Sequence, residues 1–243
     1  MGAARRPVLL ITGAARRLGR AVALDLAAQG CDVALHYGHR QQEGEELASE
    51  IERLGARVLP MGGDLSDPEL PARLVEMTCG HLGRIDYVIA SGSRFYPTPL
   101  ETATVEQWSN LFDVNLRAPF LLAQAAAGRM CQAGAMLFFG DIYAAPHHPL
   151  SDHIPYRLTK AGIHALVPLL ARELGPKGIR VNGIAPGAVL FPDDVDEKVA
   201  DVLRRRAALG RGGEVQDIVE TARFLILGPD FVTGQIIAVD GGR

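Results

Sequence analysis

Residues 7–30 read PVLLITGAARRLGRAVALDLAAQG, and this stretch decides the fold. Residues 8–11 are an unbroken apolar run, Gly13 and Gly19 bracket a turn, and residues 19–29 repeat apolar side chains at helical spacing. A strand that is apolar at every position is buried on both faces, the condition of a parallel sheet between two helix layers. The same alternation runs down the chain. Strands are expected at 8–11, 32–37, 57–61, 87–90, 135–139, 180–184 and 236–239, and helices at 19–29, 42–54, 70–82, 106–130, 156–174 and 215–227. The expected architecture is α/β, a doubly wound seven-stranded parallel sheet with helices on both faces. Thr104, three residues before Gln107, reads as a helix cap, and Gly30, Gly55 and Gly175 fall where helices should stop.

The chain has 243 residues, 48% hydrophobic and 22% charged, with a formal net charge of −3. That length suits one domain, 1–243, and the charge balance indicates neither a disordered chain nor a nucleic-acid-binding surface. No apolar run is long enough to span a membrane and no secretory leader is recognisable, so a cytoplasmic location is expected. Cys31, Cys79 and Cys131 are odd in number and widely spaced, as reduced packing residues are. His147, His148 and His153 share no element with a carboxylate-histidine pattern, so they read as solvated loop residues and no metal is expected. Residues 189–211, acidic and then basic, interrupt the rhythm after a strand's carboxyl end and are expected to form a lid.

A glycine turn between a first strand and a first helix can hold a pyrophosphate on its amides and on the helix N-terminus. Gly13, Leu18 and Gly19 would form that cradle. Asp64, in GGDL at the end of the third strand with Leu65 beside it, can accept from an adenine amino group. An NAD enzyme of this kind places a carboxylate at the end of the second strand to hold the ribose 2′-hydroxyl. Here the stretch is HYGHR, so His36, His39 and Arg40, with Arg16 from the turn, offer positive charge to a 2′-phosphate, and NADPH is the expected cofactor. In YRLTK, Tyr156 and Lys160 are four apart and share a helix face. A tyrosine titrates near 10 in water, and an adjacent ammonium would lower that value.

Taken with Asn115 in DVNLRAPF, with RVNGIAPG and with VTGQIIAVDGG, these motifs resemble the short-chain dehydrogenase/reductase family over nearly the whole chain. The resemblance implies a single Rossmann-type domain, commonly a homotetramer. It also implies roles: Tyr156 as proton donor, Lys160 lowering its pKa and holding the nicotinamide ribose, Asn115 anchoring a relay water, Pro186 and Gly187 at the nicotinamide end. Ser91 and Gly92, after the fourth strand, complete the expected cofactor contacts.

Two departures narrow the resemblance. Where the family has a serine on the strand before the tyrosine, this chain has Asp141, which when ionised only accepts. Where it has a second glycine in the turn, this chain has Arg17, long enough to reach across the cofactor phosphates towards the substrate pocket. Both are similar to the pteridine reductase branch, as is SGSRFYPTPL at 91–100. That likeness implies a pterin stacked on Phe95, contacted by Ser93, and oriented by Arg17 and Asp141 while Tyr156 protonates a ring nitrogen. The chain lacks the Asn-Asn-Ala stretch after the fourth strand, and Asp141 lies two residues further from Tyr156 than the family spacing, so 142–155 should bulge. Reduction of a 3-oxoacyl thioester or another carbonyl is the rival reaction, and a non-catalytic NADP-binding sensor or assembly subunit the rival of another class.

Overall fold

The computed structural model describes residues 6–148, 150–189 and 206–243. Seven strands form one parallel sheet: β1 (Val8–Thr12), β2 (Asp32–Tyr37), β3 (Val58–Gly62), β4 (Ile85–Ala90), β5 (Met130–Phe139), β6 (Arg180–Pro186) and β7 (Ile236–Val239). Their order is β3-β2-β1-β4-β5-β6-β7. The chain winds outward one way from β1 to β3, then returns to lay β4 against the other side of β1. Ligands of such sheets bind beyond the carboxyl ends of the strands where the winding reverses. Here that crevice lies between β1 and β4.

Successive residues of β1 point to opposite faces. Leu9 and Ile11 join a core with α1 (Arg17–Ala28), α2 (Gln41–Arg53) and α7 (Val215–Leu227). Val8 and Leu10 face α3 (Leu70–Leu82), α5 (Ala118–Ala127) and α6 (Ile154–Leu174). Both faces are sealed, which is why β1 carries no polar residue before Thr12. Leu10→Ala would open a cavity under α3 and cost about 2–5 kcal/mol.

The expected helix at 106–130 is three pieces: α4 (Val105–Phe112), a π-helical turn at Asp113–Arg117, and α5. Pro119 has no N–H, so the regular ladder cannot run through it, and the chain widens just ahead. The expected start of α4 holds: Thr104 accepts from the Gln107 amide at 3.2 Å, and the Gln107 side chain accepts from the Thr104 amide at 3.0 Å. β5 begins five residues before the expected 135, because Met130 pairs with Ile85 and a register shift then reaches the Tyr87–Ala135 pairing. Gly30 and Gly55 end α1 and α2 with φ of +98° and +77°. Most of the expected lid at 189–211 lies outside the described residues.

Candidate active site

The turn after β1 is closely packed. An added Cβ on Gly13 would come within 2.5 Å of the Gly92 Cα, and one on Gly19 within 2.4 Å of the Gly13 carbonyl oxygen and 2.9 Å of Ser91 Oγ. Ser91 and Gly92, standing in place of the Asn-Asn-Ala stretch, thus let the end of β4 sit directly against the turn. Between these glycines Arg17 has φ +54°, a left-handed conformation that glycine adopts without cost and a side-chain-bearing residue does not. The backbone keeps the glycine-like path while the position carries a guanidinium.

The four basic residues assigned to the 2′-phosphate part company. His36 is buried: its Nδ1 accepts from the Gly13 amide at 3.4 Å and its Nε2 donates to the Gly63 carbonyl at 3.0 Å. Burial lowers its pKa and favours the neutral ring that this bonding needs. His36 therefore fastens the glycine turn to the end of β3 and is withdrawn from the phosphate set. His39 remains exposed, its Nε2 3.7 Å from Asp64 Oδ2. Arg40 pairs with Glu43 at 2.9 Å, and Arg40 and Arg16 together hold the Glu43 carboxyl below its ordinary range. Arg16, His39 and Arg40 thus cluster at the end of β2.

Asp64 accepts from the Ser66 amide at 2.9 Å and from Arg94 Nη2 at 2.9 Å on each oxygen. Beside it, Leu65 lines a crevice with Thr12 and Gly92. Leu18 packs on the core under the turn. Pro186 ends β6 in register with Val239, and an added Cβ on Gly187 would lie 2.6 Å from the Asp240 Cα.

At the other end of the crevice, the Tyr156 hydroxyl donates to Asp141 Oδ2 at 2.5 Å. The second carboxylate oxygen accepts from the Tyr143 amide at 2.9 Å, which fixes the carboxylate at the mouth of a short 3₁₀ turn. The longer spacing between 141 and 156 leaves this pair in contact because the intervening loop is tied by Arg157. Its Nε donates to the Tyr143 carbonyl at 2.9 Å and its Nη2 to the Ala145 carbonyl at 3.2 Å.

In this arrangement Lys160 is not what sets the Tyr156 pKa. Its ammonium is buried and donates to the Phe139 carbonyl at 2.8 Å, with Nζ 5.7 Å from the Tyr156 ring centroid. Tyr156 is pushed well above 10, first by burial and then by the negative Asp141 that accepts its proton. Lys160 is itself lowered to about 8 by burial. The tyrosine is thus held as a protonated donor by a carboxylate.

Asn115, in the π-helical turn, is also differently engaged. Its Nδ2 donates to the Arg94 carbonyl at 2.9 Å and to Thr159 Oγ1 at 3.3 Å. Its Oδ1 accepts from the Arg94 amide at 2.7 Å and from Ser93 Oγ at 3.2 Å. Four bonds fill the side-chain amide's capacity, so the side chain clasps the segment after β4. Ser93 faces Asn115 by the same bond.

Phe95 meets Tyr156 edge to face, with centroids 4.8 Å apart, and is half exposed. Against its other neighbour it stacks on His153 at 4.6 Å and 17°. His153 is therefore not a solvated loop histidine; it stands at the N-cap position of α6, with no capping bond from its side chain, three residues before Tyr156, a spacing that could have placed it beside the tyrosine. Its Nε2 is buried with no partner among the described residues. No group of His, Cys, Asp and Glu among the described residues is placed to hold a metal.

A family profile described as Enoyl-(Acyl carrier protein) reductase matches residues 13–243. A short-chain dehydrogenase/reductase of Hericium erinaceus is 34% identical over 97% of each chain. The chain belongs to the short-chain dehydrogenase/reductase family. Within that family, a 3-oxoacyl-[acyl-carrier-protein] reductase of Staphylococcus aureus is 29% identical over 96% of each chain. Among solved structures, a blue fluorescent protein from a metagenomic library, in complex with NADPH, is 31% identical with a TM-score of 0.90 over 97% of each chain. As a family member with the tyrosine and lysine in place, the chain is an oxidoreductase.

Proposed function

We propose that this short-chain dehydrogenase/reductase uses NADPH to reduce the C=N bond of a dihydropterin to the tetrahydro form. The glycine packing of Gly13, Gly19 and Gly92 leaves a backbone cradle that side chains would fill, and Arg16, His39 and Arg40 stand where a 2′-phosphate would meet them. NADPH, when bound, supplies the hydride to the ring carbon. Lys160, Pro186 and Gly187 would hold its nicotinamide end, and Asp64 with Leu65 its adenine end.

The single observation that carries the substrate reading is the 2.5 Å bond from Tyr156 to Asp141. A ketone gaining negative charge would face an ionised carboxylate at the place where it needs a donor. A pterin edge bears several N–H groups, which can take over Asp141. Once they do, the carboxylate's charge is compensated and the Tyr156 hydroxyl is released to protonate the ring nitrogen beside the carbon that receives hydride. Phe95 offers the flat ring an aromatic face, and Arg17 a cation at its edge.

Carbonyl reduction is the second reading, and what favours it is the similarity to a 3-oxoacyl-[acyl-carrier-protein] reductase and to the enoyl reductase profile. The two are separated by following loss of NADPH absorbance with a dihydropterin, a dihydrofolate and an acetoacetyl thioester offered in parallel. Turnover of the pterin or folate supports the first reading, and turnover of the thioester alone overturns it. Binding without oxidation of NADPH in all three would favour the sensor.

A homotetramer is the proposed assembly, supported by exposed apolar side chains on α4 and α5, Trp108, which stacks on Phe112 at 4.5 Å, and Phe120. A cytoplasmic location is supported by three free cysteines; no helix among the described residues is long and apolar enough to cross a membrane.

A further inference from the structure

Arg94 lies outside the roles assigned above, yet it touches both ends of the site. Its guanidinium donates through Nη2 to both oxygens of Asp64 at 2.9 Å. Its main-chain amide and carbonyl are both held by Asn115, at 2.7 and 2.9 Å. The next residue is Phe95, whose ring meets Tyr156 at 4.8 Å. One residue therefore links the carboxylate at the end of β3 to the aromatic wall beside the proton donor.

We propose that Arg94 is a positioning residue through which occupancy of the adenine end of the cofactor site orders the segment that carries Phe95. This rests on the placement of the adenine at Asp64. The direction of the effect follows from solvent. Asp64 and Arg94 have side chains 36% and 29% exposed, so water now weakens their attraction. A carboxylate offers about four acceptor positions, and Arg94 with the amide and hydroxyl of Ser66 occupies them, so an adenine meets this pair by lying over it. An adenine laid over the pair excludes water and strengthens the attraction, because a charge pair interacts more strongly as the local dielectric falls. The guanidinium is then held more firmly, and with it the backbone of Arg94 and the ring of Phe95. Cofactor binding thereby builds the substrate wall before the substrate arrives.

The test uses adenosine 2′,5′-bisphosphate, which fills the adenine end without a nicotinamide and needs no knowledge of the substrate. Amide hydrogen exchange is followed over residues 91–96 with and without saturating bisphosphate, in the wild type, Arg94→Met and Arg94→Lys. Slowing at the Arg94 amide by at least about 5-fold in the wild type, partial slowing in Arg94→Lys and none in Arg94→Met is the expected result, a coupling of ordinary size. No slowing in the wild type, or equal slowing in Arg94→Met, overturns it. So does complete loss of bisphosphate binding in Arg94→Met by calorimetry, which would make Arg94 a direct cofactor ligand. If Asp64→Ala binds the bisphosphate as tightly as the wild type, the adenine placement itself fails, an outcome the calorimetry separates from failure of the coupling.

Discussion

Asp141 and Tyr156, fifteen positions apart, share a 2.5 Å hydrogen bond in which the carboxylate accepts the phenol proton. A serine in that place could both donate and accept, and would leave a neighbouring lysine to set the tyrosine's pKa. A carboxylate reverses the effect: it stabilises the protonated phenol and destabilises the phenolate. Asp141→Ser should therefore lower the Tyr156 pKa, and because Asp141 also supports the charge of Lys160, whose titration sets the alkaline limb of kcat/KM for a dihydropterin, that limb should move to lower pH. Turnover should fall about 100-fold or more, in the range usual for a lost proton-transfer partner. An unchanged profile with unchanged turnover would remove Asp141 from the mechanism.

Lys160 connects catalysis to stability through the same burial. Its pKa is about 8 in the folded chain against about 10.4 for a free lysine. Between those values the unfolded chain binds the proton and the folded chain does not, so stability rises as pH increases from about 8 to 10. Below 8 the full cost of the buried charge is present, on the order of 3 kcal/mol. Lys160→Met at pH 7 should raise Tm by roughly 6–12 °C while abolishing turnover. Wild-type activity should decline above pH 8 as the ammonium loses its proton. A lower Tm in the variant would show that the bond to the Phe139 carbonyl outweighs the burial cost.

The basic residues at the end of β2 make opposite predictions. Arg16→Ala with Arg40→Ala should weaken NADPH about 100-fold or more and leave NADH nearly unchanged, since each charged hydrogen bond contributes about 1.5–3 kcal/mol. His36→Ala should instead destabilise the fold by about 1–3 kcal/mol, because the Gly13 amide and Gly63 carbonyl lose their partner. Cofactor titration and urea unfolding, run on both variants, separate the two roles. A stable His36→Ala protein with a selective loss of NADPH would return His36 to the phosphate.

These differences mark where local pattern carried information. The sheet was legible because a buried strand must be apolar on both faces, as 8–11 is, and because glycines are forced where β1 turns into α1. Tyr156 and Lys160 were legible because four residues on a helix fix their relative direction. His36 was not: the sequence shows a histidine near other basic residues, and only the crossing of β1, β2 and β3 shows that its ring points inward. The clasp made by the Asn115 side chain is invisible in the sequence for the same reason, since its partners Ser93, Arg94 and Thr159 come from other elements. The loop after Asp141 hid the contact with Tyr156, because spacing counts residues and Arg157 decides how many loop outward.

Phe95 is half exposed, so its removal tests binding with little effect on folding. Phe95→Ala should leave Tm within about 2 °C, as surface substitutions usually do. The dihydropterin KM should rise about 3- to 10-fold with a smaller change in kcat, the size expected from an aromatic pairing of 0.5–1.5 kcal/mol. Loss of kcat alone would mean that Phe95 acts by holding Tyr156 and not the substrate.

Arg17 holds a left-handed backbone at φ +54° in a turn where an added Cβ on Gly13 or Gly19 would come within 2.4–2.5 Å of other backbone atoms. Such a conformation costs a residue with a Cβ about 1–2 kcal/mol, so a guanidinium there has a use that outweighs the strain. The two candidate uses, cofactor phosphate and substrate, predict different kinetics. Arg17→Gly restores the conformational freedom of the turn and should stabilise the fold by up to about 1 kcal/mol. If the cation faces the substrate, NADPH affinity should hold within about 3-fold while the dihydropterin KM rises roughly 10-fold or more, as for a charged hydrogen bond of 1.5–3 kcal/mol. If it faces the pyrophosphate, NADPH affinity should fall by that factor and the substrate KM should stay. The first pattern is expected, because glycine at this position brings the backbone no closer to the phosphates than the path Arg17 already follows, and the side chain is what the substitution removes.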